Sequence, residues 1–263
     1  MAKIKHFDLV GRICRMDDNI CELAENSTDK LKEAIEKGDK ELALALAEYK
    51  LLETKGQHDS FIDMIYFMMD WIARNEGEEE LPNIMRYIKN ILDRNAYIGA
   101  KKWATPLEKL IIFAEGQRAH PSGPNERGDF KIWEEPDRYV MEMDPCGSGG
   151  RMNRGPANGS GSRNKTPYNL GTTSKPYPWS WGKANIPYYC LHCCVWHEVM
   201  GIETTGYPSK ITECPEAGSN EPCYWYIYKD PNLIPEKYFE RVGFKKDPSK
   251  FKMKPDKETF AKG

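Results

Sequence analysis

The densest group of reactive side chains lies in residues 189–198, which read YCLHCCVWHE. On a helix, Cys190, Cys193 or Cys194, and His197 follow one another at three- or four-residue steps, so their side chains share one face. Thiolates and an imidazole on such a face suit a soft or borderline ion such as zinc or iron. We therefore expect one metal ion per chain, held by Cys190, Cys193 and His197. The structural alternative is a helix with buried cysteines and a solvated histidine.

Two other side chains of this segment are suited to proton transfer. His192 points to a different side of the helix from the expected ligands, and could face a substrate. Glu198 lies close to the expected metal face, where it could be a ligand, a hydrogen-bond partner of His197 or a general base. We predict catalytic roles for His192 and Glu198.

A second motif is the segment DPCGSGG at residues 144–150, which follows a predicted strand. Its glycines let the backbone approach a ligand closely and point N–H groups at an anion. Cys146 in such a turn is a candidate nucleophile beside an oxyanion site, and equally a further metal ligand. A plain glycine turn is the structural alternative. The Gly-Lys-Ser/Thr ending of a phosphate-binding loop is missing, which excludes that class of site.

Other residues are candidates for binding a substrate. Arg151, Trp179 and Trp181 belong to a stretch in which cations lie beside aromatic rings, a composition that suits a small anionic or aromatic molecule. His58 and His120 come from the helical half of the chain and could complete a pocket, His58 as a catalytic residue and His120 as a substrate contact. A charged loop surface and exposed histidines are the structural alternatives.

The first half of the chain is predicted to be helical. Residues 29–37 and 40–55 are rich in Ala, Leu, Glu and Lys, and glycines at 38 and 56 mark helix ends. Periodic apolar segments at 61–72 and 81–92 predict two more helices, the first capped by Asp59. Thr105-Pro-Leu-Glu is a capping box that opens a helix reaching about residue 118.

After residue 118 the pattern predicts strands. Residues 130–134 and 138–143 alternate with period two around a Glu-Pro-Asp turn, which indicates a hairpin. A Gly-, Pro- and Ser-rich covering loop follows as far as residue 187. The segments after it are a helix over 188–200 and strands near 209–214 and 223–229.

These elements predict an α+β fold in which an N-terminal helical part packs on a Cys-rich antiparallel-sheet domain with a central helix. The expected divisions are a helical region at 1–118, a Cys-rich metal- or ligand-binding domain at 119–234, and a C-terminal extension at 235–263.

Composition excludes several classes of protein. The 263 residues are 40% hydrophobic and 11% aromatic, which excludes disordered and fibrous chains. With 38 Lys and Arg against 40 Asp and Glu, the net charge of -2 gives no electrostatic reason to bind nucleic acid. No apolar run could span a membrane, and the N-terminus does not read as a signal peptide. We expect a cytoplasmic protein with reduced cysteines, leave a homo-oligomer open, and expect Cys14 and Cys21 to be buried on one helix face.

The C-terminal part of the Cys-rich region resembles a known family. Within residues 201–229, the motifs are Gly206-Tyr-Pro, Ile-Thr-Glu-Cys-Pro-Glu, Gly218 and Cys-Tyr-Trp-Tyr-Ile-Tyr. They are similar to the closing strands of 4-vinyl-reductase-type ligand-binding domains, and to the related L-2-amino-thiazoline-4-carboxylic acid hydrolase family. The resemblance implies a Cys-bearing helix followed by a hairpin. It also implies a structural zinc on Cys190 or Cys194, Glu213, Cys214 and Cys223.

The first functional expectation is a metal-dependent enzyme that acts on a small anionic or aromatic molecule. It would cleave a C–N or C–S bond, as a hydrolase or a lyase, with zinc or iron polarising the substrate or activating water. Cys190, Cys193 and His197 would hold the ion, with Cys146 as a possible further ligand, while His192 or Glu198 transfers protons.

Two other functions remain open. One is a vinyl-reductase-like binding module with a structural zinc, in which Cys214 and Cys223 are the indispensable residues. The other is an iron–sulfur protein that uses Cys146, Cys190, Cys193 and one of the hairpin cysteines.

Overall fold

A computed structural model describes residues 2–94, 103–156 and 159–252. The chain divides into two compact units, Met1–Phe61 and Ile62–Gly263. The fold is α+β, as predicted, with seven α-helices among the described residues and two antiparallel sheets. Across the described ranges, no helix is both long enough and apolar enough to cross a membrane.

The N-terminal unit begins with a two-stranded hairpin, β1 (Ile4–Phe7) and β2 (Arg12–Arg15), whose turn contains Gly11 in the left-handed region at φ 63°. Helix α1 (Ser27–Glu36) follows, capped by the side chain of Asn26. This hairpin corrects one expectation. Cys14 and Cys21 do not share a helix face, because Cys14 lies in β2 and Cys21 lies in a short 3₁₀ helix.

Helix α2 (Lys40–Asn75) continues without a break through Gly56 and Asp59, the residues that predicted a helix end and a new helix start. Gly56 lies inside the helix, and Asp59 lies within it instead of capping a new one. An internal glycine costs only about 1 kcal/mol relative to alanine, and strong helix-forming residues on the N-terminal side offset that cost. The predicted helices 40–55 and 61–72 are therefore one helix.

The second unit begins in the last part of α2 and continues with α3 (Leu81–Leu92) and α4 (Pro106–Ala119). The predicted capping box is present: the Thr105 side chain accepts from the Glu108 N–H, and Glu108 accepts from the Thr105 N–H. The structure thus divides the chain at residues 61 and 62, whereas the sequence prediction divided it at 118 and 119. The reason is that α3 and α4 bury side chains in the same core as the sheet.

Four strands form the main sheet, in the order β3 (Lys131–Glu134), β4 (Arg138–Met143), β6 (Cys223–Tyr228) and β5 (Ile211–Glu213). All neighbours are antiparallel. The predicted hairpin is formed by β3 and β4, with Lys131 opposite Glu142. Strand β6 pairs with β4 so that Cys223 is opposite Met143.

The segment predicted as one helix over 188–200 is divided into three helical types. A 3₁₀ turn (Tyr188–Cys190) leads through two residues into a π-helix (Cys193–Val199), and α6 (Met200–Thr205) follows. The Trp196 indole N–H donates to the Met85 carbonyl at 2.8 Å, which fastens the π-helix to α3. Single-turn π segments occur frequently at functional sites, where they change side-chain spacing.

The long Gly- and Pro-rich segment, of which residues 144–156 and 159–187 are described, consists there of turns and short helices. It contains α5 (Gly149–Arg154) and is held by side chains of the second unit. The Tyr66 hydroxyl donates to the Gly171 carbonyl at 3.0 Å, and the Arg163 guanidinium bonds both oxygens of Asp63 at 2.6 and 2.8 Å.

The described residues after 234 contribute three buried side chains to the core, those of Tyr238, Phe239 and Val242. Helix α7 (Lys237–Glu240) contains Phe239, which is fully buried. Of the predicted extension, residues 253–263 lie outside the described part of the chain.

Candidate functional site

A cavity of about 660 Å³ lies within the second unit. This volume falls in the usual range of small-molecule sites. Its wall is formed by α3, α4, the glycine turn before α5, the π-helical segment and one end of the sheet. Five of the eight cysteines line it: Cys146, Cys190, Cys193, Cys214 and Cys223.

Strand register explains why three of these cysteines meet. Cys223 begins β6 opposite Met143, the last residue of β4, and Cys146 follows three residues later. On the other side of β6, Tyr224 is opposite Glu213, which directly precedes Cys214. The three thiols are therefore carried to the same end of the sheet.

Two glycines of the turn allow the thiols to approach the backbone. A Cβ at Gly149 would lie 2.5 Å from the Cys190 sulfur, and a Cβ at Gly150 would lie 3.1 Å from the Cys146 sulfur. The first distance is far inside van der Waals contact. A side chain larger than hydrogen at position 149 would thus displace Cys190.

Nitrogen donors surround the sulfur atoms. The Gly150 N–H donates to the Cys146 sulfur at 3.1 Å, and the Asn153 amide to the Cys190 sulfur at 3.6 Å. The Lys210 ammonium lies 3.5 Å from the Cys193 sulfur. Donors of this kind favour the thiolate form of a cysteine.

Cys193 has the most polarised environment of the five. Its sulfur lies 3.5 Å from His192 Nε2 and also 3.5 Å from Lys210 Nζ. Burial raises the pKa of the Cys193 thiol, but the charges of His192 and Lys210 outweigh burial and lower it to about 6. Cys193 is therefore a thiolate at neutral pH.

The orientation of His192 is set by the backbone. Its Nδ1 lies 2.6 Å from the Tyr189 carbonyl oxygen, which can only accept, so Nδ1 carries the proton and Nε2 faces the thiol. Burial lowers the pKa of His192, but Cys193, the Tyr189 carbonyl and Cys190 together raise it, and the net shift is upward. The upward shift of the His192 pKa and the downward shift of the Cys193 pKa both favour a thiolate–imidazolium pair over the two neutral side chains.

Lys210 is 1% exposed and supplies the second positive charge. Its Nζ lies 3.4 Å from the centre of the Trp225 ring and 3.1 Å from the Thr212 hydroxyl. Among the described residues, no carboxylate forms an ion pair with it. A buried ammonium is stabilised by a nearby anion, and the Cys193 thiolate fills that role.

The remaining cavity thiols favour the neutral form where a shift is resolved. Burial and the neighbouring Cys190 raise the pKa of Cys146 to about 11. A hydrogen bond with Cys190, followed by burial, raises the pKa of Cys214 well above its usual value, and burial does the same for Cys223. Cys194 lies outside the cavity, with its sulfur 3.7 Å from the Pro178 carbonyl.

The structure brings several predicted residues together. Besides Cys146, Cys190 and Cys193, the cavity is lined by His120, His192 and His197. The prediction placed His197 with the thiols and His192 on another side. The contact to a thiol is made by His192, the residue just before the π-helix, because the Tyr189 carbonyl orients its ring so that Nε2 lies beside the neighbouring Cys193 sulfur. His197 Nδ1 lies 3.2 Å from the Ser209 hydroxyl instead.

Metal ligation by Cys146, Cys190, Cys193 and His197 stays a prediction. Within residues 2–94, 103–156 and 159–252, no group of three or more His, Cys, Asp or Glu side chains is arranged to hold a metal ion. The four side chains line one cavity, but they do not form a ready coordination shell.

Glu198 and Trp181 do not line the cavity. Glu198 is fully buried behind the π-helix, where its carboxylate pairs with Arg241 at 2.9 Å and accepts from the Thr212 N–H and the Trp181 indole N–H. Burial raises the pKa of Glu198 more than these partners lower it. The predicted general base and the predicted substrate contact are thus parts of one internal polar network.

Three further predicted residues do not line the cavity. Arg151 is 1% exposed, with its Nε donating to the Gly147 carbonyl at 3.1 Å. Trp179 stacks on Tyr177 with ring centres 4.1 Å apart. His58 belongs to the N-terminal unit, with Nδ1 at 3.1 Å from an Asp59 carboxylate oxygen. None of the three is among the residues that line the cavity.

Two lysines of the site were missed by the sequence reading. Lys210 stands beside a strand, and Lys109 lies in α4 at the cavity wall. Both side chains are buried, with Lys109 7% exposed and Lys210 1% exposed. The sequence did contain one signal for Lys109. It lies four residues before Phe113 in α4, so it shares the helix face that packs inward.

Comparison with protein-family models, curated proteins and solved structures gives no match to this chain. The resemblance of residues 201–229 to vinyl-reductase-type domains therefore stays a prediction.

We predict that iodoacetamide alkylates Cys193 with a half-maximal rate near pH 6, because His192 and Lys210 stabilise its thiolate. Lys210→Met should move that midpoint upward. The measurement is residue-resolved mass spectrometry over a pH series. Cys146, whose pKa is about 11, is the internal control and should react only in strongly alkaline buffer. Equal pH profiles for the two cysteines would contradict the assignment.

A second prediction concerns Glu198. Glu198→Gln should lower the free energy of unfolding by about 3 kcal/mol, because it leaves the largely buried Arg241 without its main partner. Glu213→Gln is the matched control: Glu213 also pairs with Arg241 but is 32% exposed, so its loss should cost under about 1 kcal/mol. Urea unfolding measures both. Unchanged stability in Glu198→Gln would contradict a structural role for the Glu198–Arg241 ion pair, and a catalytic role for Glu198 would then have to be tested.

Proposed function

We propose that this protein is a thiol-dependent enzyme that cleaves a C–N or C–S bond of a small molecule bound in the cavity. The observation that carries the proposal is the position of the Cys193 sulfur, 3.5 Å from His192 Nε2 and 3.5 Å from Lys210 Nζ, in the cavity wall. A thiol paired with an oriented imidazole is the arrangement that activates a cysteine nucleophile.

A hydrolytic cycle can be written with these side chains alone. The Cys193 thiolate attacks the carbonyl carbon of an amide-type substrate, and the C–N bond breaks as His192 Nε2–H protonates the leaving nitrogen, which leaves a thioester on Cys193. Neutral His192 then takes a proton from water as that water attacks the thioester carbon. The C–S bond to Cys193 breaks, and the thiolate and the imidazolium are restored.

Lys210 and the Tyr189 carbonyl act as positioning groups in this cycle. Lys210 keeps Cys193 anionic between turnovers, because its ammonium has no other anion beside it among the described residues. The Tyr189 carbonyl holds the imidazole in the tautomer that presents Nε2 to the thiol.

A second candidate function has its own supporting observation. Five thiols line one cavity, and three of them have a nitrogen donor within 3.6 Å, which is also how proteins surround metal-bound or cluster-bound thiolates. In that case the enzyme is a zinc- or iron-dependent hydrolase or lyase, or an iron–sulfur protein, with Cys146, Cys190 and Cys193 as ligands.

The thiol mechanism is tested with p-nitrophenyl acetate as an acyl-transfer reporter. We expect a burst of about one nitrophenolate per chain, and acetyl-Cys193 in the trapped protein. Cys193→Ser should slow the burst at least about 100-fold. Cys223→Ser is the matched control, because Cys223 lines the same cavity as a neutral thiol, and should keep the burst. A burst that survives Cys193→Ser would refute the nucleophile.

Metal content decides between the two candidates. Under the thiol mechanism, protein purified without oxygen should contain well under one zinc or iron per chain by elemental mass spectrometry. About one ion per chain, lost in a Cys190→Ala/Cys193→Ala variant, would establish the metal-dependent alternative. Visible brown colour with several irons would indicate an iron–sulfur cluster.

A further inference from the structure

Lys109 places a buried positive charge in the cavity wall. It lies in the first turn of α4, is 7% exposed, and lines both the main cavity and a smaller neighbouring one of about 90 Å³. The aromatic ring of Tyr207 lies 5.2 Å from its Nζ. A cation–π contact stabilises an ammonium only in part, since it replaces little of the lost hydration.

The charge of Lys109 is not balanced by a carboxylate. Its ammonium makes no ion pair or hydrogen bond with any residue that the structure describes, and burial lowers its pKa to about 8. Other cations of the same wall are paired: Lys89 with Asp93, and Arg154 with Asp144 at 2.5 Å. Lys109 thus has a solvation deficit that an anion in the cavity would relieve.

A second buried donor in the wall is also without an acceptor. Trp225 is 7% exposed, and its indole N–H has no hydrogen-bond partner among the described residues. Its ring meets the edge of Phe113 at 5.7 Å, and Phe113 is one helical turn after Lys109 on α4. The cavity wall therefore contains a cationic donor, Lys109, and a neutral donor, Trp225, and neither has an acceptor among the described residues.

We propose that Lys109 binds the anionic group of the substrate, and that the substrate is a small organic anion with an apolar or aromatic body. The inference rests on the proposed function only in taking this cavity as the substrate site. The apolar body would pack on Phe113 and Trp196, which line the same cavity. The ammonium supplies a charge-assisted hydrogen bond to the carboxylate, sulfonate or phosphate.

The test compares two fluorescent probes with nearly the same ring system, anilinonaphthalene sulfonate and its uncharged counterpart phenylnaphthylamine. In Lys109→Met, we expect the Kd of the sulfonate to rise about tenfold and that of the neutral probe to stay the same. Lys109→Arg should retain the preference for the sulfonate. Both variants should fold. Methionine has a similar length and removes an unpaired buried charge, and arginine keeps the charge on a side chain of similar length.

Two controls locate the effect. Lys89→Met removes a cavity-lining lysine that is already paired, and should leave both affinities unchanged. Gly116 lines the cavity and has open space where a Cβ would be, so Gly116→Trp should fill the cavity and abolish binding of both probes. Sulfonate binding that survives Gly116→Trp, or equal sulfonate affinity in wild type and Lys109→Met, would overturn the proposal.

The alkylation profile of Cys193 is measured on the same variants. A preserved midpoint near pH 6 together with lost sulfonate preference separates the anion site from the nucleophile. If the wild-type profile shows no reactive Cys193 while the sulfonate preference depends on Lys109, the thiol mechanism fails and the anion site stands.

Discussion

The pairing of β6 with β4 on one side and β5 on the other is the constraint on which the site depends. Cys223 opposite Met143, and Tyr224 opposite Glu213, place the ends of three strands together. Because side chains alternate across a strand, a slip of one residue would turn Cys223 and Trp225 to the other face and remove both from the cavity. The glycine turn after β4 adds Cys146 and the next wall of the cavity at this end of the sheet.

Two buried ionic groups hold the π-helix over the sheet. On the cavity side, Lys210 lies against the Cys193 sulfur, and behind the helix Glu198 pairs with Arg241. Each charge is compensated by a partner that comes from another element, so the helix cannot shift without exposing an unpaired charge in the interior. The same arrangement stabilises a thiolate at Cys193, whose side chain is buried.

Local signals predicted the elements that depend on neighbouring residues in the chain. The capping box at Thr105 and the period-two pattern of β3 and β4 are confirmed, because hydrogen bonds and alternation within a few residues decide them. The break predicted near Gly56 was wrong, since a single glycine is a weak penalty in a long helix. The helix predicted over 188–200 is partly π-helical, and its Trp196 is hydrogen-bonded to α3, a contact between remote segments that local periodicity does not contain.

Residue types and their spacing are enough to show that six of the eight cysteines lie in the second half of the chain, and that a helical segment and a glycine turn contain four of them. Which of these thiols meet depends on the fold, since strand register brings Cys146, Cys214 and Cys223 to one end of the sheet. The Tyr189 carbonyl orients His192 so that its Nε2 lies beside the Cys193 sulfur. The tertiary structure also moved Glu198 into an internal ion pair and brought Lys109 and Lys210 to the site. Charge compensation in the interior depends on distances between remote segments, and residue types and spacing along the chain do not contain those distances.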